Sequence, residues 1–155
     1  MPAGLSVDNS SSSGNGVGCL ANVFEPKGIK QTASAGVSLD DNRKTPMVIE
    51  KPSTFSNGAT AYKKIVSTLN CYKHVSGTSG REKNTAAIGQ VSFPHYGNAS
   101  AACSVSLVTR GTAIGEDLLI VRKGNIVMGI QEADLPPVSV SQFQGFVVKA
   151  LAKVK

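Results

Sequence analysis

The sequence predicts an α+β domain: an antiparallel β-sheet with two amphipathic helices packed on one face. Three observations predict it. Two aliphatic runs, 118–121 and 126–130, flank Lys123-Gly124-Asn125, where Gly and Asn tolerate the positive φ of a tight hairpin turn. Ala101, Cys103, Val105 and Leu107 alternate with Ala102, Ser104, Ser106 and Val108, the period of two of a strand. Two stripes of helical spacing lie on either side of these strands. They are Tyr62, Ile65, Val66 and Leu69 before, and Phe143, Phe146, Val147, Ala150, Leu151 and Val154 after; each makes one apolar helix face. Consecutive strands with short connections favour antiparallel pairing, with helices as a second layer.

At 155 residues the chain suits one domain with a real core. With five Phe, three Tyr and no Trp, that core is built from Val, Ile, Leu and Ala. Residues 1–18 are polar and of low complexity, with Ser10-Ser11-Ser12-Ser13-Gly14-Asn15-Gly16 at the centre. Such composition does not repay the entropy of ordering, and it reads as a flexible tether before a domain at 19–155. The start, Met1-Pro2-Ala3-Gly4, is compatible with a leader removed beforehand.

From Cys19 to Pro52 the pattern is weak. Val23-Phe24 and Met47-Val48-Ile49 are strand fragments, Pro26, Pro46 and Pro52 limit regular structure, and Asp40-Asp41-Asn42-Arg43 reads as a turn. A helix is expected over 57–72, with Ser56 or Thr54 as its cap. Residues 76–84 read as a polar loop, 86–93 as a strand, 94–98 as a turn and 111–117 as a connection to the hairpin. Both hairpin arms are almost wholly apolar, so most of both faces must be covered. Asp134-Leu135-Pro136-Pro137 breaks regular structure, after which Ser139 or Ser141 caps the last helix.

Sixteen Lys and Arg against ten Asp and Glu give a net charge of +6. The cations are scattered, with doublets only at Arg43-Lys44, Lys63-Lys64 and Arg122-Lys123. Without stacking aromatics or a recognisable module, this is a solvated basic surface and not a nucleic-acid site. No apolar run approaches the roughly 20 residues of a membrane-spanning helix.

The three cysteines, Cys19, Cys71 and Cys103, contain no Cys-x-x-Cys pair, which disfavours structural zinc. Cys71 ends the first helix and Cys103 points inward from a strand. A Cys71–Cys103 disulfide would pin helix to sheet and imply an oxidising compartment. The alternative is a pair of buried thiols in a cytosolic protein. Cys19 is left free, pairs between chains, or competes for one of the others. His74 and His95 read as surface or loop residues, because spacing near a cysteine does not make a nucleophile pair. Two histidines without an acidic cluster beside them make a metal site improbable. Asp40-Asp41, Glu116-Asp117 and Glu132/Asp134 lie in expected turns or strand ends, where carboxylates are solvated. No nucleophile elbow, phosphate loop or dinucleotide fingerprint is present. No cofactor and no catalytic residue is assigned.

One order of elements carries a resemblance. An Ala-rich amphipathic helix ends in Cys71, and a strand with Cys103 follows. Then come Ile114-Gly115-Glu116-Asp117, an apolar strand, Arg122-Lys123-Gly124-Asn125-Ile126-Val127, and a closing amphipathic helix. This resembles the PknH-type extracellular sensor domain, the outer part of a mycobacterial receptor Ser/Thr kinase with secreted or lipid-anchored actinobacterial relatives. The similarity spans about residues 55–155; the odd cysteine count and Gly115-Glu116 in place of Gly-Asp depart from it. The resemblance implies an exported domain, an antiparallel sheet with packed helices, and a cleft for an unidentified ligand.

The expected function is therefore a non-enzymatic, exported ligand-binding or sensor-like domain of the cell envelope, secreted or lipid-anchored. A surface protein–protein interaction module is the alternative, and a hydrolase ranks behind both. One sheet face is expected to carry both helices and the other to form a concave apolar cleft. Arg122, Lys123 and Arg110 would give its rim positive charge for an anionic or amphipathic ligand.

Overall fold

A computed structural model describes residues 6–8, 26, 28–40, 47–69, 74–79, 82–109, 112–134 and 139–154. In chain order the elements are β1 (Ser6–Asp8), β2 (Gln31–Ser34), β3 (Val37–Asp40), β4 (Met47–Phe55), α1 (Gly58–Leu69), β5 (His74–Ser79), β6 (Glu82–Gln90), β7 (Ala99–Thr109), β8 (Thr112–Lys123), β9 (Ile126–Asp134) and α2 (Val140–Ala152). The strands form one sheet in the order β1-β3-β4-β9-β8-β7-β6-β5, with β2 beside β3 on the edge of β4. Neighbours pair antiparallel throughout. The expected α+β class is what the chain adopts.

The hairpin around Gly124 is the middle of the sheet. Lys123 pairs with Ile126, which leaves a two-residue turn, and Gly124 has φ 61°. Along β8 the side chains alternate between two cores. Leu118 and Ile120 join Phe55, Cys103 and Val127 on one face, under Ala61, Ile65 and Leu69 of α1. Leu119 and Val121 join Val48, Met128 and Ile130 on the other, under Phe143, Val147 and Ala150 of α2.

The helices thus pack on opposite faces, and the expectation of both on one face is corrected. The reason lies in the hairpin itself. Its arms are apolar at consecutive positions, so two helices on one face would leave Leu119, Val121, Met128 and Ile130 in water. Each such side chain contributes about 1.5–3 kcal/mol when buried. The same correction removes the expected open apolar cleft, because α2 occupies that face.

Two more expectations change. The polar stretch 76–84 is not a loop: residues 76–79 belong to β5 and 82–84 to β6, which pair from His74↔Ala87 to Ser79↔Glu82. Pairing with a long neighbouring strand overrides weak intrinsic preference. Met47-Val48-Ile49 opens a strand that continues through Pro52 to Phe55. Proline is tolerated there because β3 pairs as far as Glu50 and β2 takes over at Ser53. The Pro52 carbonyl accepts from the Ala35 N–H at the changeover, so the missing N–H of Pro52 faces the gap between two strands.

The helix expected over 57–72 is described as Gly58–Leu69, capped not by Ser56 or Thr54 but by Asn57, whose Oδ1 accepts from the Thr60 N–H at 2.9 Å. For α2 the cap is Ser139, whose hydroxyl accepts from the Gln142 N–H at 3.3 Å. Of the segment expected as a tether, Ser6–Asp8 pairs with β3. The rest of it, the Val23-Phe24 fragment, the turn after Asp40 and the residues of the Asp134–Pro137 break beyond Asp134 lie outside the described residues.

Candidate functional site

The hairpin tip is where distant parts of the chain converge. At the end of β4, the Phe55 N–H donates to the Asn125 carbonyl at 3.0 Å. At the start of α1, the Gly58 N–H donates to Asn125 Oδ1 at 3.2 Å. From the turn before β7, the Asn98 N–H donates to the Arg122 carbonyl at 2.8 Å, and Asn98 Oδ1 accepts from the Gly124 N–H at 2.7 Å. Beyond α2, the Val154 carbonyl accepts from Lys123 Nζ at 2.5 Å. Gly97, at φ 62°, lies so close under the Arg122 carbonyl that no Cβ would fit. Two asparagines therefore replace the partners that turn and helix-end backbone groups would otherwise lack.

Arg122 and Lys123 do not share a rim. As consecutive strand residues they take opposite faces. Arg122 faces α1, half-buried, with Nη1 donating to the Gly124 carbonyl at 3.3 Å. Its charge acts on the Tyr62 hydroxyl: burial pushes that hydroxyl's pKa up, and the arginine opposes the rise. Lys123 faces α2 and is tied to the carbonyl end of that helix, a structural contact that also complements the helix dipole. Arg110 lies outside the described residues.

The far end of the hairpin has the opposite charge. Expected as solvated carboxylates in turns, Glu116, Asp117 and Glu132 lie inside the two central strands. Glu132 is 0% exposed, and Asp117 is its direct cross-strand partner. On the other face, Glu116 Oε2 accepts from Gln131 Nε2 at 3.1 Å. Burial raises the pKa of Glu116, the Gln131 bond opposing it, and burial raises that of Asp117. Glu50, also buried, is held through both oxygens by Lys153 Nζ at 3.1 and 3.2 Å. The signal for Glu132 is present in the sequence: it stands two residues after Ile130, on the same inward face.

These shifts set a pH dependence with a definite sign. For Glu116 the folded pKa lies above the unfolded value, so between the two the native state holds more protons. Unfolding free energy then falls as pH rises through that window. Glu116→Gln should raise stability at pH 7 relative to wild type and remove that part of the slope. Urea midpoints of both proteins across mildly acidic to neutral pH measure it; an unchanged slope would contradict the burial argument.

Cys103 is buried and has no disulfide partner among the described residues. Burial, with Asp117 and Glu116 nearby, pushes its pKa up to about 11, which makes it a poor nucleophile at neutral pH. Its expected partner Cys71 lies outside the described residues, as does Cys19. His95 is exposed, in the turn before β7, and His74 opens β5. Among the described residues no three His, Cys, Asp or Glu side chains are grouped to hold a metal ion, and no helix is long and apolar enough to cross a membrane.

No family model matches the sequence, and no curated protein matches it. A solved structure does match. The extracellular domain of PknH from Mycobacterium tuberculosis superposes with a TM-score of 0.64, over 85% of this chain and 68% of that one, at 13% identity. The chain has the fold of the PknH extracellular domain. That domain belongs to the outside part of its protein. At this identity the likeness is one of backbone arrangement.

Proposed function

We propose that this chain is an extracytoplasmic, non-catalytic sensor-like domain that binds a small anionic or amphipathic ligand. The observation that carries the reading is the match of its fold to the extracellular domain of PknH. The site we assign is the junction of α1 and the hairpin tip. Arg122 supplies a half-buried positive charge on the face that α1 covers, where Tyr62 also packs, and a guanidinium is suited to a carboxylate or phosphate group. Arg110 is not assigned to this site, because it follows Thr109, which pairs with Thr112 at the end of β7 away from the tip. Lys123 is left out, because its ammonium is occupied by the Val154 carbonyl. The Asn98 and Asn125 bonds give this corner the rigidity that recognition needs.

Thermal-shift measurements against fractions of a cell-envelope extract test the reading. A stabilising fraction whose effect is lost in Arg122→Gln supports it. No shift from any fraction, or one kept in full by the variant, counts against it. The exported location also carries the proposed Cys71–Cys103 bridge, because Leu69 of α1 shares a core with Cys103 and stands two residues before Cys71. Mass spectrometry of unreduced protein should find those two peptides joined and two hydrogens lighter; both thiols alkylated in full would reject the bridge.

A further inference from the structure

Six of the cations that look scattered in the sequence, Lys30, Lys51, Lys63, Lys64, Arg122 and Lys123, are collected by the fold. In β4, β8 and β9, the register sets Ile120 opposite Gly129, and Gly129 opposite Lys51. From that row to the hairpin tip these strands carry Lys51, Arg122 and Lys123 and no acid. Beyond it they carry Glu50, Glu116, Asp117, Glu132 and Asp134 and no cation. The flanking elements extend the sorting. The Lys30 carbonyl accepts from the Ser56 N–H, which places Lys30 just past the tip end of β4. The α1 helix starts against Asn125 at the tip, contains no acidic residue, and exposes Lys63 and Lys64. Glu50, the acid nearest the row, already binds Lys153.

We propose that the tip end of the domain, with the outer side of α1, is a docking surface for an anionic phospholipid bilayer. Lys30, Lys63 and Lys64 are exposed on two segments, and Lys123, bonded to the Val154 carbonyl, adds its charge to the field at the tip; such a spread fits many headgroups at once and not one anion in a pocket. A nucleic acid fits less well, because the aromatics near these cations, Tyr62 and Tyr96, are half-buried in the cores and offer no stacking platform. The opposite end of β4, β8 and β9 carries no cation, so the uneven distribution of positive charge also favours one orientation, tip toward the lipid. Without exposed Trp the contact is electrostatic and salt-sensitive. Each basic residue near an anionic surface adds roughly 1 kcal/mol, which sets the expected size.

Co-sedimentation with phosphatidylcholine vesicles, with and without phosphatidylglycerol, tests it. The protein should bind only the anionic vesicles at low salt and leave them at about 0.5 M salt, where the Debye length is a few ångströms. The triple variant Lys30→Gln/Lys63→Gln/Lys64→Gln should bind roughly 100-fold more weakly with an unchanged circular dichroism spectrum. Lys83→Gln, at the acidic end, should bind as wild type. No binding to anionic vesicles at low salt, equal binding to neutral ones, equal loss in Lys83→Gln, or tighter binding of single-stranded DNA than of vesicles would overturn the proposal. Inorganic phosphate at millimolar concentration should not compete; if it does, a discrete anion pocket replaces the surface.

Discussion

Phe143→Ala should destabilise the domain by about 3–5 kcal/mol and Ile65→Ala by about 2–5 kcal/mol. Phe143 is 0% exposed at the centre of the α2 core and meets Phe93 edge-on at 5.3 Å; Ile65 is 1% exposed in the α1 core. Against a total of about 5–15 kcal/mol, each loss is a large fraction of what holds the fold. The more discriminating result is how such losses combine. The sheet lies between the two cores, so their residues share no side-chain partner. Milder changes, Ile65→Val and Val147→Ala, keep the double variant measurable, and their effects should add within about 0.5 kcal/mol. Helices lying together on one face would repack against each other, and coupling well above that limit would refute the two-sided arrangement. Urea unfolding of the two singles and the double provides the numbers.

What is legible in the sequence follows from which signals are local. The hairpin, the two helix stripes and the alternation in β7 are readable because period and turn chemistry are written in neighbouring residues. The side of the sheet each helix takes is also implicit, in the unbroken apolar arms around Gly124. The polar strand β5 is not readable, because its order comes from pairing with β6. The tip is only half legible. Arg122 and Lys123 stand out as charges, but the alternation of strand residues separates them, and only the fold shows that Lys123 reaches the end of α2. Asn98 and Asn125 give no sign of their role, since an asparagine near a turn is ordinary until its partner 26 or 67 residues away is known. The buried acids escape a reading in which strand ends are wet; β8 and β9 extend further than the aliphatic run suggests.

Replacing glycine by alanine at two helix positions should give effects of opposite sign, and the contrast isolates the contact between α1 and the hairpin. Gly145 lies inside α2, and a Cβ there would have nothing within 4 Å of it. Gly145→Ala should stabilise by about 0.5–1 kcal/mol, because alanine loses less backbone entropy on entering a helix. Gly58 also lies in a helix, and propensity alone predicts the same gain. Its Cβ would, however, stand 2.5 Å from the Gly124 carbonyl oxygen and 2.6 Å from Asn125 Cα. Both obstacles are backbone in a turn already fixed by Asn98 and by the Gly58–Asn125 bond, so neither can swing aside as a flexible side chain would. Gly58→Ala must therefore lift the start of α1 off the tip, lengthen the 3.2 Å bond to Asn125 Oδ1 and loosen the packing of Ala61 and Ile65 behind it. The expected cost is about 1–3 kcal/mol, the usual range for overfilling a packed site. Thermal and urea unfolding of the two variants should show Gly145→Ala above wild type and Gly58→Ala below it. Equal gains would mean that α1 does not rest on the hairpin, and the corner assigned to Arg122 and Tyr62 would lose its rigid frame.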